Sequence, residues 1–170
     1  DVDEMGEDWL NKYEIVRKVV VGGEQRQDSV YNGFSSLEKG TDIVVVHDGV
    51  RPFTTPQMIT ATVEAAQQHG AAITAIPVSD TVKQAADGFV KQTVSRDGLW
   101  RVQTPQAFQC GLLQQAFKKA KKDSYYGTDE GSLVEYLGER VKIVPGSELN
   151  IKITRKEDLV LGESLLSRIR

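Results

Sequence analysis

The sequence predicts an α/β fold built around a mostly parallel sheet. Apolar runs of strand length alternate with helical patterns along the 170 residues. The run Ile43–Val46 is apolar without alternation, as in a strand covered on both faces. That run stops abruptly at a charged corner, His47-Asp48-Gly49-Val50-Arg51-Pro52. Ligands of open α/β sheets bind outside the carboxyl ends of the strands, so Asp48 sits where a metal and phosphate groups would be held. The alternative for Asp48 is a cap on the following turn.

The elements follow in order. Val19–Val21 reads as a short strand ending at Gly22-Gly23. A helix starts near Asp28 or Ser29 and turns Val30, Phe34 and Leu37 to one face. After the Ile43–Val46 strand, Thr55 caps a helix with Pro56 at its first position, where a missing N–H costs nothing. Ile59, Val63 and Ala66 form its inner stripe and Gly70 ends it. Ala72–Val78 is the next strand. Asp87-Gly88 is a two-residue hairpin signal inside Thr81–Val94. A lone ribbon is marginal in water, so this arm needs another surface, and a second subunit is the favoured one. Trp100 is read as core and Thr104-Pro105-Gln106 as opening the next helical segment; the helix near Cys110–Lys121 buries Leu113, Ala116, Phe117 and Ala120. Another helix begins at Thr128 and carries Leu133, Val134 and Leu137. Val141–Val144 and Ile151–Ile153 are short strands. Thr154-Arg-Lys-Glu157 is a capping box for a last helix with Leu161, Leu165 and Ile169 on its apolar face.

Residues 1–170 are expected to form a single domain, with 79–95 as an inserted β-arm. The formal charge of −3 argues against broad nucleic-acid affinity. No apolar run approaches the roughly 20 residues needed to cross a bilayer, so no membrane partner is expected. The single Cys110 has no internal disulfide partner and reads as a packed thiol, which places the chain in a reducing compartment. The cluster Lys118, Lys119, Lys121 and Lys122 reads as a solvated helix end.

Several motifs carry chemistry. Gly22-Gly23-Glu24-Gln25-Arg26-Gln27-Asp28-Ser29-Val30 joins a strand to a helix, where free N–H groups and the Ser29 hydroxyl suit an anion or a base edge. An ordinary helix cap is the competing reading. Arg96 is either free to reach a phosphate or ion-paired in solvent. Thr104 and Thr128 are hydroxyls at helix starts, each also readable as a cap. Lys152 lies opposite Ile151 and Ile153; if it points inward it needs a partner, and a phosphate is one.

The ordered set is far more specific than any member. Gly-Gly-Glu-x-Arg-x-x-Ser-Val, His-Asp-Gly-x-Arg-Pro, Asp-Thr-Val-Lys, Arg-Asp-Gly-Leu-Trp, Thr-Pro-Gln-x-Phe, Thr-Asp-Glu and Asn-Ile-Lys-Ile-Thr occur in that order. This resembles the methylerythritol phosphate cytidylyltransferases of the non-mevalonate isoprenoid pathway, from about Val19 to the C-terminus. The resemblance implies a Rossmann-like nucleotidyltransferase fold with a protruding β-hairpin, a homodimer through that arm, CTP with Mg²⁺, and release of pyrophosphate. It implies cytidine-side contacts for Gly23, Glu24 and Ser29, and makes Asp48 the Mg²⁺ and phosphate-site carboxylate. It makes Arg51, Thr81 and Arg96 contacts of methylerythritol phosphate, the last two across the dimer. Thr104 and Thr128 become substrate hydroxyl contacts, and Lys152 a phosphate contact near the transfer centre. A cytoplasmic or, in a eukaryote, plastid-stromal location follows.

The departure is at the front. The family opens with a strand and a glycine-rich loop carrying Arg and then Lys, which grip the CTP triphosphate. Asp1–Val16 resembles instead the acidic helical stretch before the double-glycine strand. The expectation is a family member truncated at its N-terminus, nearly inactive as these residues alone. Two other readings compete: a cytidylyltransferase for another polyol phosphate such as ribitol 5-phosphate, and an inactive nucleotide-binding or dimerisation module.

Overall fold

The computed structural model describes residues 8–169, with side chains described as far as residue 167. Residues 1–7, and the side chain of Ile169 expected on the last helix, lie outside that range. The elements are α1 (Arg26–Ser35), β1 (Ile43–Val46), α2 (Pro56–His69), β2 (Ala71–Pro77), β3 (Val82–Ala86), β4 (Phe89–Val94), β5 (Trp100–Gln109), α3 (Cys110–Lys122), α4 (Glu130–Leu137), β6 (Lys142–Pro145) and α5 (Lys156–Ile169).

The main sheet has the order β1-β5-β2-β6. β5 runs antiparallel to both neighbours, and β2 pairs with β6 in parallel. β1, β2 and β6 therefore share one direction, and the sheet is mixed through β5 alone. Alternation along the strands separates two faces. Ala71, Ile73 and Phe108 pack with Leu113, Phe117, Leu133 and Val134, joined by Val30 and Phe34, so α1, α3 and α4 cover one face. Ala72, Ala107 and Val144 pack with Ala66 and Val63 of α2 on the other.

β5 spans the segment expected to start a helix, so Thr104 is a strand residue. Trp100, at its first position, is exposed rather than core. Val19–Val21 forms no ladder with any described strand, and its side chains stay exposed. Ile151–Ile153 is likewise not a strand; it is tied to the Asp48 turn by Ile153 N–H donating to Val50 O at 2.8 Å. Helix α1 starts earlier than expected, with Gln25 as N-cap and Asp28 at the third helical position, and Leu37 lies beyond its end, exposed. On α2 the buried stripe is Met58, Thr62 and Ala66, while Ile59 is exposed. Thr62 can be buried because its hydroxyl donates to Met58 O and meets the Thr74 hydroxyl at 3.1 Å. α4 is capped by Asp129, not Thr128. At the start of α5 the carboxylate that turns back is Asp158, not Glu157, accepting from the N–H groups of Thr154 and Arg155.

The hairpin β3–β4 forms a separate two-stranded sheet. Asp87 and Gly88 have φ of 51° and 81°, as the twist of a tight hairpin turn requires. At its tip Phe89 is 79% and Val90 65% exposed.

Leu113 is fully buried against β2 and β5, whereas Leu166 on α5 is half exposed. Leu113→Ala is expected to cost about 2–5 kcal/mol. Leu166→Ala should stay within about 0.5 kcal/mol. Urea denaturation of the two variants checks the contrast.

Candidate functional site

The site begins with a bulge. Pro105 has no N–H to give to a ladder. Ile73 pairs with Gln106 and Ala75 with Val102, so two steps on β2 face four on β5. The extra length carries Gln103, Thr104 and Pro105 out of the ladder. The Thr74 hydroxyl donates to Pro105 O at 2.8 Å and so keeps that buried carbonyl paired. A bulge re-aims side chains; here it turns Thr104 toward the end of β1. The Thr104 hydroxyl accepts from Asp48 N–H at 3.0 Å and lies 3.0 Å from His47 Nδ1. His47 Nε2 lies 3.0 Å from Arg51 O. One hydroxyl and one imidazole thus fix the corner that presents Asp48.

The loop after β6 is fixed by buried amides. Asn150 is fully buried; its Nδ2 donates to Thr104 O at 2.9 Å and its Oδ1 accepts from the Thr54 hydroxyl at 3.0 Å. Arg51 Nη1 donates to Asn150 O at 2.7 Å, and Gln103 Nε2 to Ser147 O at 2.9 Å. This anchoring, rather than a ladder, brings Lys152 to Asp48.

Asp48 meets three cations. Lys152 Nζ lies 3.0 Å from Oδ2, Arg51 Nε 3.6 Å from Oδ2 and Arg26 Nη2 3.4 Å from Oδ1. Burial pushes the Asp48 carboxyl up, but Lys152 and then Arg26 outweigh it, and the net shift is below the ordinary carboxylate value. Arg26 is also tied to Glu130, with Nη1 2.8 Å from Oε1 and 3.0 Å from Oε2, and Nη2 3.0 Å from Oε2. Glu130 is only 1% exposed. Burial raises its carboxyl above the ordinary value, and the Arg26 contacts offset only part of that rise. Arg26 itself loses some basicity to burial but gains more from Glu130 and Asp48. Arg51 is pushed down by burial, partly offset by Asp48.

Asp48, Arg51, Thr104, Thr128 and Lys152 all line one cavity of about 460 Å³, with Arg26 at its wall. Gly23, Glu24 and Ser29 are instead gathered at the start of α1. There Gly23 N–H donates to the Ser29 hydroxyl at 3.0 Å. A Cβ on Gly23 would come within 2.3 Å of Asp28 Cβ, so only glycine permits this approach. Thr81 and Arg96 flank the hairpin base and are not among the residues lining that cavity; Arg96 Nη1 donates to Ser79 O. Sequence reading missed Glu130, His47, Gln103 and Asn150 as parts of the site. Two signals pointed to Glu130: its place in the Thr-Asp-Glu motif, and an ionisable residue at the buried phase of an apolar helix, next to Leu133 and Val134.

The family model for IspD, 2-C-methyl-D-erythritol 4-phosphate cytidylyltransferase, matches residues 3–168. The chain belongs to this family. Among its curated relatives, the 2-C-methyl-D-erythritol 4-phosphate cytidylyltransferase of Pelotomaculum thermopropionicum is 54% identical over 152 residues, covering 89% of this chain and 64% of that protein. The protein of the same name from Syntrophus aciditrophicus is 50% identical over 154 residues, covering 90% and 66%. The chain thus spans just under two thirds of the length of these relatives. The crystal structure of 4-diphosphocytidyl-2C-methyl-D-erythritol synthase from Anaerococcus prevotii superposes with a TM-score of 0.87 at 35% identity, over 97% of this chain and 76% of that one. The Thermus thermophilus 2-C-methyl-D-erythritol 4-phosphate cytidylyltransferase gives 0.80 at 36% identity, over 86% and 71%. These neighbours share the IspD nucleotidyltransferase fold with the chain, which agrees with the α/β architecture derived above.

Asn150→Ala removes the donor to Thr104 O, which is buried, and the acceptor for Thr54, which is only partly so. The variant is expected to lose about 1–3 kcal/mol for each group left unsatisfied. Equilibrium denaturation against the unsubstituted chain measures it.

Proposed function

We propose that the whole protein transfers the cytidylyl group of CTP to 2-C-methyl-D-erythritol 4-phosphate. A phosphate oxygen of the polyol bonds to the α-phosphorus of CTP. The bond from that phosphorus to the bridging oxygen breaks, and pyrophosphate leaves with the electron pair. The observation that carries this reading is a carboxylate, Asp48, at the end of a strand, with Lys152, Arg51 and Arg26 around it in one cavity. Positioning and charge stabilisation are the main work of phosphoryl transfer, and such a cluster suits them. Arg51 Nε is buried without a hydrogen-bond partner, which fits a place for a phosphate oxygen.

The donor set also fits Mg²⁺. No group of three or more His, Cys, Asp or Glu able to hold a metal occurs among the described residues. Mg²⁺ is commonly bound by one or two carboxylates together with substrate phosphates, and Asp48 would hold it here. Bound, the ion would neutralise phosphate charge. Lys152 and Arg51 serve the phosphates. Thr128 lines the same cavity and is a hydroxyl for the polyol. Thr104 is already engaged by Asp48 N–H and His47, so it also holds the corner on which Asp48 stands. Gly23, Glu24 and Ser29 take the cytidine side.

A homodimer through the arm belongs to the same proposal. The exposed Phe89 and Val90 on a ribbon separate from the main sheet support it. Thr81 and Arg96 would then act in the site of a second copy. A cytoplasmic or plastid-stromal location belongs to the same proposal. The 170 residues alone contain no glycine-rich triphosphate loop, and alone they are expected to bind CTP weakly and turn it over slowly.

Pyrophosphate release by the whole protein from CTP and methylerythritol phosphate tests the reading, with ribitol 5-phosphate beside it. Preference for ribitol phosphate would overturn the substrate assignment. Asp48→Asn should lower turnover by about 10²-fold or more while the protein stays folded. Turnover near that of the unsubstituted protein at saturating Mg²⁺ would remove Asp48 from the mechanism. Co-refolding Asp48→Asn with Arg96→Ala subunits should recover part of the activity, because one composite site escapes both changes. Mixed dimers as inactive as their parents would refute the shared site.

A further inference from the structure

Glu130 has no part in the roles given above, and Arg26 enters them only as one of the cations around Asp48. Glu130 is a carboxylate with 1% of its surface exposed, at the first position of α4. Its contacts with both amino groups of Arg26 form a fork that leaves little rotational freedom. Arg26 Nη2 is shared, meeting Glu130 Oε2 at 3.0 Å and Asp48 Oδ1 at 3.4 Å. The other oxygen of Asp48 faces Arg51 Nε at 3.6 Å, on a side chain 12% exposed and pinned to Asn150 O, and Lys152 Nζ at 3.0 Å, on a side chain 42% exposed whose one described polar contact is Asp48. The two ends of the Asp48 carboxylate are therefore held unequally. One end has a guanidinium fixed by a buried acid; at the other the nearest cation is an ammonium on a flexible stem, with the pinned Arg51 farther off.

We propose that Glu130 and Arg26 are positioning residues that fix the plane of the Asp48 carboxylate, so that Lys152 is the cation that yields when a divalent ion and phosphate arrive. The inference rests on the cytidylyltransferase reading of the same cavity. It gives the first turns of two separate helices, α1 and α4, a shared role in orienting a residue at the end of β1. Partners behind a metal ligand commonly change affinity or activity by about 10–100-fold when altered.

The test uses the whole protein and two substitutions. Arg26→Lys keeps a cation beside Glu130 but cannot reach both carboxylates in a fork. Glu130→Gln keeps the shape and removes the charge. Turnover, KM for methylerythritol phosphate, melting temperature, and Mn²⁺ binding in the presence of CTP, read by electron paramagnetic resonance, are followed for each. The expected result for Arg26→Lys is a kcat about tenfold or more below the unsubstituted protein and Mn²⁺ held about tenfold less tightly. KM should stay within about twofold; the melting temperature should fall, because Lys cannot replace the fork on the buried Glu130, while the protein stays folded at the assay temperature. Glu130→Gln should move kcat and Mn²⁺ affinity the same way; if it does not fold, Arg26→Lys decides alone. Mn²⁺ affinity and kcat within about twofold of the unsubstituted protein, with only the melting temperature lowered, would show a purely structural tie and overturn the proposal. If the unsubstituted protein releases no pyrophosphate, the functional reading fails, and the Mn²⁺ titration still decides on the pair. An unsubstituted protein that holds no Mn²⁺ with CTP present overturns the pair's role as well.

Discussion

A carboxylate withdrawn from water needs a partner, and at Glu130 that need organises much of the surrounding architecture. Isolated buried charge is costly, and a single hydrogen bond does not offset it. Glu130 therefore engages Arg26 through both oxygens. Arg26 is the first residue of α1 and Glu130 the first of α4, so the ion pair joins two helices 104 residues apart in sequence. The pair stands beside apolar packing that already places α1 and α4 on one face of the sheet. Packing brings the helices together, and the ion pair fixes how their first turns meet. Gln27 adds to this, its side chain accepting from Gly127 N–H at 2.9 Å and donating to Tyr125 O at 3.2 Å, so the loop before α4 is held to α1 as well.

The opposite wall of the cavity depends on neutral groups. Gln103, Gln106 and Asn150 are buried amides with a protein partner at each end. Gln106 donates to Asp129 Oδ2 at 2.8 Å and accepts from Gly131 N–H at 3.2 Å, coupling β5 to the cap of α4. A satisfied network of this kind holds one geometry, because each shifted partner exposes another buried group to an unpaired state. The bulge in β5 is the common origin. It supplies Gln103 and Thr104, and without it the strand would continue its ladder past Asp48 rather than turn a hydroxyl toward it. Thr104–Pro105, which the sequence suggested as the start of a helix, is thus the point where a strand changes direction.

That misreading shows what a sequence reveals and what it does not. Ile43–Val46, the Asp87-Gly88 turn, the Thr55-Pro56 helix start and the apolar face of α3 were legible, since each depends on neighbours a few residues apart. β5 was not, because its inner half is buried by other elements and its Pro signals a break that a bulge absorbs. Val19–Val21 and Ile151–Ile153 had strand composition, but a strand exists only with a partner, and a ladder is not a local property. The site divides along the same line. Asp48, Arg51 and Lys152 were singled out through motifs, and the structure gathers them with Thr104 and Thr128 in one cavity. Glu130 and Asn150 stand in the quoted motifs, but they act through contacts with residues roughly a hundred positions away, and no local pattern says which residue the partner is.

The charge around the cavity bears on how much of the chemistry these residues supply. Arg26, Arg51 and Lys152 line it together with Asp48, Asp129 and Glu135, and Glu130 lies buried behind Arg26. The carboxylates thus match the cations in the lining, and one more lies beneath. A nucleoside triphosphate and a polyol phosphate meeting there would bring several negative charges to a surface with no positive excess. In a partly buried site, where each unit of charge weighs more than in water, further cations are needed before the two phosphates approach. Mg²⁺ at Asp48 is one source. The hairpin offers another: Arg96 sits at the base of a ribbon whose apolar tip is uncovered, and seating that ribbon on a second copy would carry a guanidinium toward the neighbouring site. Under the proposed function, Mg²⁺, the arm of a second copy and the cationic loop at the front of the family are the three sources from which that charge would come.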